Sequence, residues 1–168
     1  IVASLGVDKP GPCVALRADL DALPIEETSD VPYRSKEPGK MHACGHDGHT
    51  SCLVGAVKVL SEIRDELKGP VKFIFQPAEE GGAGGKRMCE EGALESPKVD
   101  AIFGFHGWPR FTQGEIGVRE GAFLASSDTF DITINGTGSH AAFPHLGVDP
   151  ILVASHTITA IQSIVSRN

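Results

Sequence analysis

Three short runs rich in Val, Ile and Phe, two of them separated by a helical repeat, constrain this chain more than any other feature of its 168 residues. Residues 12–18 (PCVALRA), 71–75 (VKFIF) and 101–105 (AIFGF) have the length and composition of strands buried on both faces. Between the first two, Leu53, Val57, Leu60, Ile63 and Leu67 recur at spacings of three and four, which predicts a helix over 50–67. Asp47 is placed to cap its start and Gly69-Pro70 to end it. A shorter helix is expected over 85–94. Strand, helix, strand, helix, strand is the alternation of an α/β fold, a mostly parallel sheet with helices on both faces.

The pattern changes after Val118. Residues 129–135 (TFDITIN) alternate as a half-exposed strand does, and the Gly-rich GTGSHAAFPH leads to a helix pattern over 151–165, beginning at about Asp149. This predicts the start of a smaller α+β domain, with the division between residues 1–117 and 118–168. The chain opens on Ile1 rather than Met, shows no signal peptide, and stops at Ser166-Arg167-Asn168 with no strand after the last helix pattern. The expectation is a truncated chain.

Fifteen Lys and Arg against 22 Asp and Glu give a formal charge of −7, and the pI is about 5.4. That balance excludes a generic nucleic-acid binder, and no apolar run approaches the roughly 18 residues of a membrane span. Cys13, Cys44, Cys52 and Cys89 form no C-x-x-C pair, as expected of reduced thiols in a cytoplasmic protein.

In an open parallel sheet, ligands bind beyond the carboxyl ends of the strands. There the sequence places Asp19-Leu20-Asp21, then Gln76-Pro77-Ala78-Glu79-Glu80, then His106, with His42-Ala43-Cys44-Gly45-His46-Asp47-Gly48-His49 in the loop before the first helix. Thiolate, imidazole and carboxylate together suit a borderline divalent cation. Cys44 and His46, two apart in an extended loop, can turn to one ion, while Glu80 and His106 arrive from neighbouring strand ends. Four ligands suit a two-metal site better than a single catalytic ion. His42 and His49 are expected behind the ligands or at the helix start. Glu79 and Glu80, being adjacent, should diverge, one ligating and the other serving as general base toward water and the leaving amine.

Competing readings are weaker. Gly136-x-Gly138-x-x-Ala141 formally matches a dinucleotide fingerprint, but no helix starts at that turn; Gly81 to Lys86 lacks the first glycine and the Ser or Thr of a phosphate loop. A hydrolase with Cys44 as nucleophile is chemically sound but leaves Glu79, Glu80 and His106 without a role.

With these residues assembled, the sequence resembles the N-acyl amino acid amidohydrolases, the group of hippurate hydrolases and indole-acetyl amino acid hydrolases within the aminoacylase and carboxypeptidase G superfamily of dinuclear metallopeptidases. The matching stretches are LRADLDALPIEE (16–27), MHACGHDGHT (41–50), FQPAEEGGAGG (75–85), GFHGWP (104–109) and GSHAAFPHLGVDPI (138–151). The resemblance implies a zinc-peptidase-like catalytic domain and part of a lid or dimerisation domain. It implies that Cys44, His46, Glu80 and His106 hold two divalent ions, Mn2+ or Zn2+, that Glu79 is the base, and that Asp19 and Asp21 stand behind the ligands. It further implies that His140 reaches the partner's site in a homodimer joined through the lid and stabilises the oxyanion; a histidine that merely caps a loop turn is the other reading of that residue. The substrate would be a small N-acyl amino acid, with no nucleic-acid or membrane partner. Members of the group are longer, their C-terminal half supplying a further ligand histidine, so a truncated, non-catalytic remnant stands as the alternative.

Overall fold

The structure, a computed structural model, describes residues 1–164; Val165, the last position of the third helix pattern, and residues 166–168 lie outside it. Contacts divide the chain into two compact units, Ile1–Ile116 and Gly117–Asn168.

The first unit is built on a four-stranded sheet of β1 (Val2–Leu5), β2 (Val14–Asp19), β3 (Val71–Gln76) and β4 (Ala101–Gly104), in the order β1-β3-β2-β4. β3, β2 and β4 are parallel, and β1 runs antiparallel along β3. The three parallel strands fall at the apolar runs, but only β2 and β3 carry the expected burial; all four residues of β4 are exposed, because it pairs with β2 on one side only and no helix packs closely over it among the described residues. β1 (VASL) is an addition that composition hides, because an exposed edge strand needs no apolar run.

Register assigns the faces. Leu16 lies opposite Phe73 and Ala18 opposite Phe75, so these side chains share one face. Helix α1 (His46–Glu62) covers it, with Leu53, Ala56, Val57 and Leu60 joining Ala18, Phe73 and Leu16 in the core. Alternate residues Arg17, Lys72 and Gln76 project from the opposite face, where Gly85 of α2 (Gly84–Glu90) comes close to the Gln76 side chain. Lys72 is buried there, and its ammonium donates to the carbonyls of Ala93 (3.1 Å), Glu95 (2.6 Å) and Pro97 (3.0 Å). All three of its N–H donors are thus answered, which is what lets a lysine sit in a core. It ties the segment between α2 and β4 to the middle of the sheet.

Two local expectations need correction. The first helix begins at His46, four residues before the apolar period, because Gly45 adopts φ +82° as its N-cap and turns the incoming loop into the helix. Asp47 therefore lies inside the first turn and makes no side-chain cap. The helix proper ends at Glu62, and a 3-10 turn at Arg64–Glu66 carries the chain on to Leu67.

In the second unit, residues 129–135 form no ladder, and Phe130 and Ile132 are exposed. Alternation makes a strand only where a second strand takes up the backbone groups, and among the described residues none does. The unit's order comes instead from a bridge between Thr137 and Val148, a 3-10 turn at Pro144–Leu146, and helix α3 (Pro150–Ile161). The helix starts where expected, and Asp149 caps it, accepting from the backbone N–H groups of Ile151 (2.9 Å) and Leu152 (3.3 Å). No helix among the described residues is long and apolar enough to cross a membrane.

Lys72→Met should retain the packing volume but leave three part-buried carbonyls without their donor. The expected loss of stability is about 2–4 kcal/mol, read as a lower urea midpoint; an unchanged midpoint would remove Lys72 from the core's essential contacts.

Candidate metal centre

The carboxyl ends of β2 and β3, the start of α1 and the residue pair after β4 meet at one place. Cys44, His46 and His106 each present a donor atom within 4.8 Å of the others, and so do His46, Glu79 and Glu80. Asp19, His46 and His49, all buried, form a third such group, and His46 is common to all three. It is 1% exposed and sits in the first turn of α1 rather than in an extended loop, on the helical side of Gly45, with Cys44 on the other side.

The loop after β3 delivers both glutamates. Ala78 takes a left-handed conformation (φ +53°), and its carbonyl accepts from the N–H groups of Gly82 (3.3 Å) and Gly84 (3.0 Å). Only glycine fits at position 84, since a Cβ there would collide with the Pro77 carbonyl oxygen. Glu79 Oε2 and Glu80 Oε1 lie 3.8 and 3.7 Å from His46 Nε2. The expected divergence of the two carboxylates is therefore absent, because this tight turn lets neighbours converge on one atom. They differ in setting: the Glu79 side chain is 41% exposed and that of Glu80 28%, and the Glu80 N–H donates to Asp21 Oδ2 (3.1 Å).

Hydrogen bonding fixes the tautomers. A carbonyl can only accept, so the 3.0 Å contact from His46 Nδ1 to the Asp21 carbonyl places the proton on Nδ1 and leaves a lone pair on Nε2. His106 is set in the same way: Nδ1 donates to the Gly107 carbonyl (2.8 Å), and Nε2 faces Cys44 Sγ at 3.6 Å. Both imidazoles thus aim an unprotonated nitrogen into the cluster, as a cation requires.

His49 differs, and its hydrogen bonds put it behind the ligands, where the sequence reading expected it. Its Nδ1 meets Asp19 Oδ1 at 2.6 Å, and its Nε2 accepts from the Gly107 N–H at 2.7 Å. Neither nitrogen is free. His42 is exposed at the entrance to the loop. His140, in the second unit, accepts from the Ala142 N–H through Nδ1 (3.1 Å) and lies against the Phe143 ring.

Electrostatics favours a guest of positive charge. Asp19, Asp21, Glu79 and Glu80 surround the cluster, and Arg17 pairs with one of them, Asp19, at 2.8 Å. Burial works to raise the Asp19 carboxyl, but the His49 hydrogen bond and the Arg17 charge outweigh it and hold the group below the ordinary carboxylate range. Asp21 is likewise opposed by burial and lowered on balance by the backbone N–H groups of Glu80 and Glu79. Cys44 moves the other way: burial first, then the charges of Glu80, Glu79 and Asp19, push its thiol up. A thiol so placed is a poor nucleophile, whereas a divalent cation would reverse the local field and take it as thiolate. The donor set passes a direct test of fit, because buried His46 Nε2 has no hydrogen-bond partner among the described residues although carboxylate oxygens surround it. A buried imidazole nitrogen with no protein partner, facing carboxylates, is chemically matched to a cation.

Arg17 and Gln76 were not signalled by the sequence. Arg17 Nε donates to Gln76 Oε1 (2.9 Å) while its Nη1 holds Asp19, joining β3 to β2 behind the cluster. The available signal was two polar residues two apart at the end of an apolar strand, Arg17 and Asp19, which share a face.

Comparison with known proteins agrees with this arrangement. Residues 15–167 match the family model described as peptidase family M20/M25/M40. The chain belongs to that family. It is 49% identical over 168 residues to an N-acetyl-L-cysteine deacetylase of Bacillus subtilis, covering 100% of this chain and 40% of the relative. It is 53% identical over 156 residues to the IAA-amino acid hydrolase ILR1-like 5 of Arabidopsis thaliana, covering 93% and 35%. Among solved structures, the Bacillus subtilis YXEP protein, described as a dinuclear metal-binding peptidase of the M20 family, superposes with a TM-score of 0.67 at 50% identity, covering 71% of this chain and 33% of that one. The chain therefore spans less than half the length of these M20 relatives.

In metal-free protein, Cys44 should alkylate with a pH midpoint above the ordinary thiol value of about 8.5, so that at pH 8 it reacts more slowly than exposed Cys52. A midpoint below neutrality would restore the nucleophile reading.

Proposed function

We propose that the complete protein hydrolyses the amide bond of small N-acyl amino acids at a two-metal centre held by Cys44, His46, Glu80 and His106. The observation that carries this reading is the orphaned Nε2 of buried His46, directed at carboxylate oxygens of both Glu79 and Glu80. The names of the M20 relatives, one acting on an N-acetyl amino acid and one on amino acid conjugates, support the substrate class. When bound, divalent ions such as Mn2+ or Zn2+ would polarise the amide carbonyl and acidify water.

The chain's own residues divide the remaining work. Glu80, anchored by Asp21 and deeper than its neighbour, holds metal. Glu79, at the more open rim, takes a proton from the attacking water and returns it to the leaving amine. Water adds to the carbonyl carbon, the C–N bond breaks, and the products are a carboxylic acid and an amino acid. Asp21 keeps His46 in the Nδ1–H form and Glu80 in place. Residues 1–117 supply this half of the site, and residues 118–168 begin the lid, which we assign to homodimer formation. His140 fits an oxyanion donor by its chemistry: with Nδ1 accepting from Ala142, Nε2 carries the proton and is able to donate.

Glu79→Gln in the complete protein should keep its metal content and lose about 10²-fold or more in turnover of an N-acyl amino acid. Turnover near that of the parent would remove Glu79 from the mechanism, and loss of metal together with activity would make it a ligand instead.

A further inference from the structure

The geometry points to His49 as a positioning residue that sets the orientation and tautomer of His106 through Gly107, without itself holding metal. This rests on the metal-centre reading above. His49 is 3% exposed and lies on the first turn of α1, one turn after His46, so spacing alone would make it a ligand. Its nitrogens are both engaged, however, and with opposite polarity. The Asp19 carboxylate accepts at 2.6 Å, which puts the proton on Nδ1; Nε2 then accepts the Gly107 N–H at 2.7 Å. Withdrawing Nε2 to bind an ion would leave that N–H without its acceptor and break the link to β4.

That link controls His106. With its N–H held by His49, Gly107 presents its carbonyl to His106 Nδ1 at 2.8 Å, which keeps the His106 proton on Nδ1 and turns Nε2 toward Cys44. The two rings also pack together, with centroids 4.6 Å apart, so His49 limits ring rotation as well. Behind His49 the chain of contacts continues through Asp19 and Arg17 to Gln76. A continuous set of hydrogen bonds therefore joins the ends of β3 and β2, through α1, to the residue pair after β4. Asp19 polarises His49, His49 fixes Gly107, and Gly107 fixes His106.

The test is nitrogen NMR of the complete protein with 15N-labelled histidine, loaded with 113Cd. His46 and His106 should show cadmium coupling at Nε2, while His49 should show none and remain in the Nδ1–H form. Cadmium coupling at His49, or a proton on its Nε2, would overturn the assignment, and this measurement needs no variant to fold. His49→Phe, which preserves the ring and removes both nitrogens, should lower cadmium affinity by about 10- to 100-fold. His49→Gln, whose amide oxygen can accept from Gly107, should recover part of that loss. A folded His49→Phe protein with parental affinity would also overturn it. If no histidine couples and no cadmium binds, the metal-centre reading itself falls, a result distinct from a failure confined to His49.

Discussion

A carboxylate taken out of water is costly unless both oxygens are answered, and at Asp19 they are answered from two directions. Arg17, on the same strand, takes Oδ2, and His49, from α1, takes Oδ1. The Asp19 backbone is held as well, its carbonyl accepting from the Thr50 hydroxyl at 2.9 Å. Strand β2 and helix α1 are thereby locked together at the strand's carboxyl end, and the cluster is assembled around that lock. His46 and His49 share the turn of helix it fixes, and the Glu79-Glu80 turn hangs from the adjoining Asp21.

The same arrangement explains why the cluster suits a cation. Four carboxylates and a thiol crowd a small volume, with Arg17 the guanidinium that offsets them at Asp19. The hydrogen bonds that orient them come chiefly from behind: the Asp21 and Gly107 carbonyls hold the histidines by Nδ1, and the Glu80 N–H holds Asp21. The forward-facing atoms, His46 Nε2 above all, are left to whatever enters. Such preorganisation is the usual division of labour at metal sites in general, in which surrounding residues set geometry and the ligands supply charge.

Much of this could be read from the sequence, for reasons specific to each element. The apolar runs at 12–18, 71–75 and 101–105 announced three parallel strands; β2 and β3 fit because a largely buried strand tolerates little else, whereas β4 follows the pattern although its four residues are exposed. The start of α3 near Asp149 was legible as well. β1 was silent because an edge strand is specified by its partner, and the early start of α1 was silent because it depends on the positive φ of Gly45. The opposite error occurred at 129–135, where a strand pattern met no partner strand among the described residues. At the site, residue type and position after a strand picked out Cys44, His46, Glu79, Glu80 and His106, which the structure brings together. That His49 stands behind the ligands was expected, but the partners that hold it there were not legible, since its contacts to Asp19 and Gly107 join residues 30 and 58 positions away in the chain.

The central claim is that the buried, unanswered Nε2 of His46 marks a two-metal centre. Elemental analysis of the complete protein, purified with manganese and zinc present, tests it most directly when His46→Ala is measured alongside. The account predicts about two ions per chain in the parent, as for a two-metal site, with a clear loss in the variant. A metal-free parent, or a variant that binds as much metal as the parent, would contradict it.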